Sequence, residues 1–460
     1  MIDADLLLRH GRIVTMDAQR TILPDGAIAV AQRRIVAIGP DREVVPQVSA
    51  AAVRDLQGAL THPGLVDAHA HTGVDLVRAL LPETREFSLV ERPFSSQRTR
   101  EEEHLSTLLA CMEMVASGTT LYCDTGQSFF LDAMVEAIDT VGMRGMPGYF
   151  LADERIPQDP HYDRYYSPTK PADECLAQLE EQIRRYPLRG DGRVRCVAAL
   201  QGSGTASDTL LMGAKAIAHR ERVPMVTHLS WSAGEVEKSK AQTGKRPVEH
   251  FADLGLLGPD LTLVHLIQAD EHELDLVRQA GASVVHCPAA AIRRGMGAIR
   301  VGRFPEMLQS GIPVALGSDG WSTKHDVTRQ AYLAATLFNE FRDEVPAITA
   351  ETAWEMATVH GARALGMAQE VGSLAVGYRA DIVIHRRDRP GPFIEDPVPY
   401  LVHYGQSSTV HTVYVDGEAI LDEGRFTRFD ASAVVRQLDD AAQAWARRIG
   451  RQRGTWPIRH

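Results

Sequence analysis

The feature that most constrains the fold is a regular alternation of short apolar runs with amphipathic helical segments, which begins near residue 61. In residues 102–117, for example, Leu105, Leu108 and Met112 share one helical face. The apolar runs occupy residues 65–71, 119–124, 144–151, 193–200, 223–228, 261–265, 282–286 and 312–318. Eight strands that alternate with helices predict an α/β fold with a parallel sheet, and at this length a (β/α)8 TIM barrel.

Strand-forming sequences flank this region on both sides. Residues 1–60 are rich in β-forming runs and turn residues and show no strong helical period. Strand patterns return at 380–385 and 410–415, and Asp416-Gly417 has the composition of a hairpin turn. We therefore predict that the two flanks form one small β-sandwich domain. The predicted division is 1–60 and 368–430 for the β-sandwich, 61–367 for the barrel, and 431–460 for a C-terminal helix and tail.

Composition excludes several other classes of protein. The chain has a net charge of −11, and no Lys/Arg cluster alternates with aromatic residues, so we expect no nucleic-acid partner. No apolar run approaches the ~18 residues of a membrane span, and the acidic first residues do not resemble a signal peptide. We therefore expect a cytoplasmic protein that does not bind membranes. The five cysteines are scattered and predict neither a disulfide framework nor a zinc ribbon.

Histidine or aspartate closes several of the predicted strands. His69 and His71 are two residues apart, so on a strand both imidazoles point to the same side. In a barrel the C-terminal strand ends meet at one mouth, so side chains from different strands converge there. The residues predicted to converge are His69, His71, His228, His265, His286 and Asp319.

Three neutral imidazoles and one carboxylate suit zinc, and would also accept iron, cobalt or manganese. Such a metal lowers the pKa of a bound water towards ~7, and a neighbouring carboxylate can accept the proton. A single strand-end histidine is more often an ordinary polar residue than a ligand. The occurrence of the whole set in chain order favours a metal site over a purely structural role.

Several motifs give the chain a resemblance to a known family. They are Pro-Gly-Leu-Val-Asp-Ala-His-Ala-His at 63–71, Gly-Thr-Thr at 118–120, Thr-His-Leu-Ser at 227–230, His-Cys-Pro at 286–288, Leu-Gly-Ser-Asp-Gly at 316–320, His-Gly-Ala-Arg-Ala-Leu-Gly at 360–366, Gly-Ser-Leu at 372–374 and Ala-Asp at 380–381. In this order they resemble the amidohydrolase superfamily, in the branch of cytosine deaminase-like enzymes and triazine hydrolases.

The resemblance implies a distorted barrel flanked by a β-sandwich, with one divalent metal, in first place zinc, held by His69, His71, His228 and Asp319. It implies that His265 contacts the metal-bound water or the substrate, and that His286 polarises the group under attack. Asp319 would also move the proton. Members of the family are often homodimers or homotetramers, and we expect the same here.

Departures from the family pattern bear on the substrate. Deaminases of the family usually carry Glu three residues after the histidine of the fifth strand, where it donates a proton to a ring nitrogen; here Trp231 stands at that position. An indole cannot transfer that proton. Ala290 and Ala291 stand where the family often has Ser-Asn, and Gln201 and Gly202 replace a common Pro-His. Trp231, Ala290, Ala291 and Trp321 together predict a comparatively apolar substrate pocket. Residues 152–170 form either a pocket lid or an ordinary surface loop.

We therefore predict an amidohydrolase in which metal-bound hydroxide attacks an sp² carbon bonded to nitrogen, in a small amide, urea or (thio)carbamate. Within the family branch, phenylurea and thiocarbamate hydrolases resemble this chemistry more than cytosine deaminase does. The first alternative is a deaminase or dechlorinase of an azine or nucleobase-like ring. The second is a binding protein that has lost catalysis; such proteins usually lose metal ligands, and this chain retains all of them.

Overall fold

The computed structural model describes residues 1–81, 88–154, 169–202, 204–320, 323–386, 396–405 and 407–450. The strands, in chain order, are β1 (Ile2–Val14), β2 (Ile22–Ala31), β3 (Arg34–Pro40), β4 (Val48–Asp55), β5 (Leu60–Pro63), β6 (Leu65–His71), β7 (Thr119–Asp124), β8 (Arg144–Met146), β9 (Ala198–Gly202), β10 (Met225–Leu229), β11 (Leu261–His265), β12 (Ser283–His286), β13 (Val314–Leu316), β14 (Asp319–Gly320), β15 (Ile382–His385), β16 (Val410–Val415), β17 (Glu418–Asp422) and β18 (Arg425–Phe426).

The α-helices, in the same order, are α1 (Asp41–Val44), α2 (Ser88–Gln97), α3 (Arg100–Ala116), α4 (Leu131–Val141), α5 (Ala172–Arg185), α6 (Asp208–Glu221), α7 (Ala233–Thr243), α8 (Pro247–Asp253), α9 (Glu271–Ala280), α10 (Pro288–Arg294), α11 (Ala298–Val301), α12 (Phe304–Gln309), α13 (Val327–Arg342), α14 (Ala350–Met356), α15 (Val359–Ala364), α16 (Pro397–His403) and α17 (Ala431–Arg448). Among the described residues, no helix is long and apolar enough to cross a membrane.

The two ends of the chain share one sheet. Its strand order is β18-β17-β16-β15-β5-β1-β2-β3, and β4 pairs with β1 outside this path. Strand β5 runs parallel to β1 and antiparallel to β15, with Val383 opposite His62. Leu8, Ile13 and Ile382 are buried in its core. The predicted union of the flanks is therefore present, and the division of the chain at residues 60, 367 and 430 stays a prediction.

The central region is a distorted (β/α)8 barrel built from two parallel arcs, as predicted. One arc has the order β14-β6-β7-β8 and the other β13-β12-β11-β10-β9. Gly145 of β8 bonds to Arg193 and Arg195, which joins β8 to the segment before β9. On the opposite side, the last barrel strand is interrupted between β13, which pairs with β12, and β14, which pairs with β6. Because β13 pairs with one arc and β14 with the other, this last strand joins the two arcs and closes the ring.

The sequence explains why these strands form the inner wall. All residues of β6 and β7 are buried, as expected for parallel strands covered on both sides. The helices that cover the barrel have clear start and stop signals. Thr99 begins α3 with a capping box, and Asp270 with Glu273 does the same for α9, which ends at Gly281 in a left-handed conformation.

Candidate metal centre

Four histidines and one aspartate meet at the C-terminal mouth of the barrel. The ring centroid of His69 lies 4.6 Å from that of His71, 4.7 Å from that of His228 and 5.6 Å from that of His265. The Oδ1 atom of Asp319 lies 3.6 Å and 3.7 Å from the Nε2 atoms of His69 and His71. The structure thus brings together the residues that the sequence predicts as ligands.

Two glycines let the strand that carries Asp319 approach β6 closely. A Cβ atom on Gly317 would lie 2.8 Å from the Cβ of His69, and one on Gly320 would lie 2.6 Å from the Cβ of His71. The backbone of Asp319 is itself left-handed, with φ of 63°. Aspartate tolerates this conformation better than most residues. The close packing against β6 therefore explains why glycine stands at both ends of the Gly-Ser-Asp-Gly motif.

Neighbouring groups orient the imidazoles. The Nδ1–H of His228 donates to the backbone carbonyl of Gln201 at 2.7 Å, which leaves Nε2 as the lone-pair atom. The Nδ1 atom of His69 lies 2.7 Å from the hydroxyl of Thr125. The Nε2 atom of His69 is buried and has no hydrogen-bond partner in the described part of the chain. A buried atom of this kind indicates a missing partner.

The ionisation of the site suits a cation. Burial lowers the pKa of His71 and of His228 well below the usual value, and the neighbouring imidazoles lower it further. Burial opposes ionisation of Asp319, but Arg294 and His69 hold the pKa of that carboxyl well below its usual range. Metal ligands must be neutral imidazoles or ionised carboxylates, so these groups are in the state that a metal requires.

The donor atoms also lie close enough to share one ion. One ligand atom each of His69, His71 and His228 lies within 4.8 Å of the others, and the same holds for His69, His265 and Asp319. Nitrogen and oxygen donors in this number are typical of zinc and related divalent metals. The residues therefore fit a divalent metal ion.

Two histidines of the site lie outside the predicted ligand set: His265 of this cluster, and a fifth histidine, His286. The Nε2 atom of His265 lies 3.9 Å from Oδ2 of Asp319. The ring of His286 stacks on Phe304 with 3.7 Å between ring centroids. Burial lowers the pKa of both histidines to about 3, so both are neutral at ordinary pH.

The residues predicted for the substrate pocket have different environments. Ala290 is buried on α10, and the side chain of Gln201 donates to the carbonyl of Gly126. Trp231 is 44% exposed, and its backbone N–H donates to the carboxylate of Glu235 at 2.8 Å. Trp321 lies outside the described residues, as do positions 155–168 of the loop predicted as a possible lid.

One positively charged side chain of the site was not predicted from the sequence. Arg294, the last residue of α10, places Nη1 3.1 Å from Oδ2 of Asp319. Its side chain is 16% exposed. Arg294 lies one helical turn after Ala290, so the two share a helix face. The four-residue spacing of Ala290 and Arg294 could be seen in the sequence. Whether that helix face points towards Asp319 depends on how α10 packs against the barrel.

A buried hydrogen-bond chain behind Asp319 was missed as well. His325 joins Asp75 to Ser318, with Nε2 2.6 Å from the carboxylate and Nδ1 2.6 Å from the hydroxyl. Burial opposes a charge on His325, but Asp75 outweighs it and raises the pKa of His325. The backbone N–H of Ser318 also donates to Asp67 of β6. These bonds hold the segment that carries Asp319.

Comparisons with known proteins agree on the family. The model of the Amidohydrolase family matches residues 60–420. The chain is 32% identical over 448 residues to the 5-methylthioadenosine/S-adenosylhomocysteine deaminase of Syntrophobacter fumaroxidans, with 95% of this chain and 97% of that relative covered. It is similar to the crystal structure of an adenosine deaminase from Xanthomonas campestris with bound zinc, with a TM-score of 0.85, 26% identity, and 98% and 99% of the two chains covered. Its fold also matches that of atrazine chlorohydrolase from Arthrobacter aurescens complexed with zinc, with a TM-score of 0.84, 23% identity, and 95% and 100% covered.

Proposed function

This chain belongs to the amidohydrolase family, and from that premise we propose that it hydrolyses a small amide, urea or (thio)carbamate and releases an amine or a thiol. The proposed metal is a single zinc ion held by His69, His71, His228 and Asp319, and iron, cobalt or manganese would fit the same donors. When bound, such a metal activates water for attack near neutral pH.

Asp319 is the proposed proton carrier. Its carboxylate is ionised and its Oδ2 faces His265 at 3.9 Å, so it can accept a proton from the attacking water and deliver it to the leaving nitrogen or sulfur. His265 is neutral and can hold the water or the substrate by a hydrogen bond. Both groups lie at the cluster, 3.9 Å from each other.

His286 is proposed to stabilise the oxygen of the attacked group. Its ring is fixed by stacking on Phe304, and its pKa of about 3 keeps it neutral, so it donates a hydrogen bond rather than a proton. Its buried Nε2 has no hydrogen-bond partner among the described residues. A donor fixed before the reaction can stabilise the developing negative charge without rearrangement.

The observation that carries the choice of substrate is Trp231. It occupies the position, three residues after His228, where deaminases of the family place a glutamate. An amide, urea or carbamate does not need that acid, because its leaving group takes the proton from Asp319. Deamination of a ring does need a proton on the ring nitrogen, and an indole cannot supply it.

Product analysis of the zinc-loaded protein tests this choice. The panel consists of acetanilide, N,N′-dialkylureas and S-alkyl thiocarbamates on one side, and adenosine and chloro-azines on the other. We expect aniline, alkylamine or thiol from the first group and no ammonia or chloride from the second. Ammonia from adenosine without amine release from the first group would refute the proposal. A His228→Asn variant, which lacks one imidazole donor, controls for trace contaminating activity.

Deamination of an aminated heterocycle is the second candidate, because the Syntrophobacter fumaroxidans relative and the Xanthomonas campestris structure named above are deaminases. Glu235 supports it, since its carboxylate lies at the backbone of Trp231 and could replace the missing acid. Glu237, two residues further on α7, is exposed and offers a matched control. If this candidate is right, Glu235→Gln abolishes ammonia release and Glu237→Gln does not.

We also propose that the chain forms a homodimer or homotetramer. Tyr332 and Tyr404 are 45% and 73% exposed and both lie near His403, with ring centroids 6.5 Å and 6.3 Å from its own. Exposed aromatic surface of this kind often marks a contact between proteins. Light scattering after size-exclusion chromatography tests it, and a monomeric mass at micromolar concentration would contradict it.

A further inference from the structure

Asp124, the last residue of β7, is a fully buried carboxylate at the mouth of the barrel. It lies opposite Ala70, the residue between the two histidines of β6. Its Oδ2 accepts from the backbone N–H of Thr72 at 2.8 Å and from the hydroxyl of the same residue at 3.2 Å. Its Oδ1 accepts from the backbone N–H of Gln127 at 3.1 Å. One side chain thus joins the ends of two neighbouring barrel strands.

The bonds to Oδ2 fix the chain directly after His71. Thr72 is the first residue of a 3₁₀ helix, Thr72–Leu80, and the leading N–H groups of a helix have no partner inside it. A carboxylate at a helix N-terminus satisfies such a donor and is favoured by the helix dipole. Because Thr72 directly follows His71, these bonds fix the direction in which the chain leaves β6, next to the imidazole.

The bond to Oδ1 fixes the turn that supports His69. The N–H of Gln127 donates to the side chain of Asp124, and the N–H of Gly126 donates to its backbone carbonyl at 2.9 Å. Thr125 lies within this turn, and its hydroxyl is 2.7 Å from Nδ1 of His69. The orientation of this imidazole therefore depends on the turn, and the turn is closed by the carboxylate.

The carboxyl of Asp124 is in the state that accepts all three bonds. Burial raises the pKa of Asp124 to about 6, and its hydrogen-bond donors oppose the rise, so the group is ionised at neutral pH. The carboxylate of Glu103 also raises this pKa, but it is paired with Arg98 at 2.7 Å. Burial raises the pKa of Tyr122 and of Cys123 well above the usual values, so both stay neutral. Within the part of the chain that the structure describes, Asp124 contacts no cation and is held by neutral donors alone.

We propose that Asp124 is a positioning residue of the metal centre, which holds His71 through Thr72 and His69 through Thr125. The inference rests on the ligand set proposed above. Hydrogen bonds that orient metal-binding imidazoles typically change metal affinity about 10–100-fold. Because one carboxylate serves two of the proposed ligands, its loss should displace both imidazoles at once.

Zinc affinity at neutral pH, measured by competition with a chromophoric chelator, tests the proposal without turnover. Asp124→Asn removes the charge and one acceptor, and should weaken zinc binding about 10–100-fold. Asp41→Asn is the matched control and should bind zinc as the wild type does, because Asp41 is a buried carboxylate of the β domain that accepts from Arg9 and from the backbone of His10. Wild-type affinity in Asp124→Asn overturns the proposal. A wild type that binds no zinc overturns the proposed ligand set, and this inference with it.

Cobalt-loaded protein separates positioning from charge. The loss of a nearby negative charge would weaken the binding of any divalent cation and leave the ligand geometry unchanged. Displaced imidazoles instead alter the visible absorption bands of bound cobalt, which depend on coordination geometry. We expect changed bands in Asp124→Asn and unchanged bands in Asp41→Asn. Weaker binding with wild-type bands in Asp124→Asn overturns the proposal.

If Asp124→Asn does not fold, hydrogen exchange in the wild type tests the same coupling. Coupling between two sites is reciprocal, so if the bonds to Asp124 favour zinc binding, bound zinc must strengthen those bonds. Zinc should therefore slow exchange of the Thr72 and Gln127 amides more than that of the His10 amide, which donates to Asp41. Equal slowing of all three amides, which stabilisation of the whole fold would give by itself, overturns the proposal.

Discussion

Acid should destabilise this protein through a pair of buried histidines that lie where the barrel meets the β domain. The Nδ1–H of His62 donates to the carbonyl of Pro63 at 2.7 Å, so its Nε2 must accept. The Nε2 of His385 lies 2.8 Å away and therefore donates. The Nδ1 of His385 then accepts from the hydroxyl of Thr409. In the neutral pair, a single N–H lies between the two Nε2 atoms. Protonation of His62 would add a second N–H there, so that two hydrogen-bond donors would face each other.

The magnitude follows from the shift in the pKa of His62, which burial lowers from 6.5 to about 4. Because the folded-state pKa is below the unfolded one, the free energy of unfolding is highest above pH 6.5 and falls as the pH drops towards 4. The difference of about 2.5 pKa units corresponds to about 3 kcal/mol in full, of which about 2 kcal/mol is lost between pH 7 and pH 5. The pKa of His385 is also lowered, so the pair acts in the same direction.

Urea denaturation of the metal-free protein at pH 7 and pH 5 measures this loss. His62→Gln keeps an amide oxygen near the position of Nε2, can accept from His385, and does not titrate. We expect its free energy of unfolding to fall by about 2 kcal/mol less than that of the wild type over this range. His219→Gln, which replaces an exposed histidine, should behave as the wild type. Equal losses in the wild type and His62→Gln would refute the reasoning.

Four further changes test the site itself. Asp319→Asn should keep the fold, by circular dichroism, and lose about 10²–10⁴-fold in kcat, since the proposed proton carrier is removed; full activity would exclude this role. Thr125→Val should weaken zinc binding about 10–100-fold in a chelator competition, because it removes the hydrogen bond that supports His69, a proposed metal ligand; unchanged affinity would contradict that. His325→Gln should lower the free energy of unfolding most below pH 6.5, where the ion pair with Asp75 is fully formed. The difference in free energy of unfolding between the variant and the wild type should become smaller as the pH rises through the raised pKa of His325. A difference that does not depend on pH would disprove the pairing. Trp231→Glu should add ammonia release from amino-azines to the product panel, and a wild type that already deaminates them well would show that no acid is missing at this position.

Much of the barrel was predictable because its strands depend on local patterns. The continuous apolar run at 65–71 and the two-residue spacing of His69 and His71 place both imidazoles on one side of a strand, and the structure has β6 over Leu65–His71. The predicted strands at 119–124 and 261–265 are confirmed as β7 and β11 without change. The family resemblance and the α/β barrel class are confirmed by the match to residues 60–420 and by the fold comparisons.

The less regular strands were predicted less well. The apolar run at 144–151 forms a strand only over Arg144–Met146, because Pro147 and Gly148 follow. In the run at 193–200, strand β9 begins only at Ala198. The earlier residue Arg195 is a buried arginine that pairs with Glu370 at 3.0 Å. Such ion pairs join segments far apart in sequence, and no local pattern indicates them.

The sequence by itself determined which residues could hold a metal, because imidazole and carboxylate groups at the ends of parallel strands must converge at the mouth of a barrel. Only the tertiary structure decided what surrounds them. Arg294 reaches Asp319, and His325 supports its segment, through the packing of a helix and a loop against the barrel. Strand periodicity sets the direction of a side chain from its neighbours in sequence, whereas the direction of a helix face or a loop is set by contacts between distant parts of the chain.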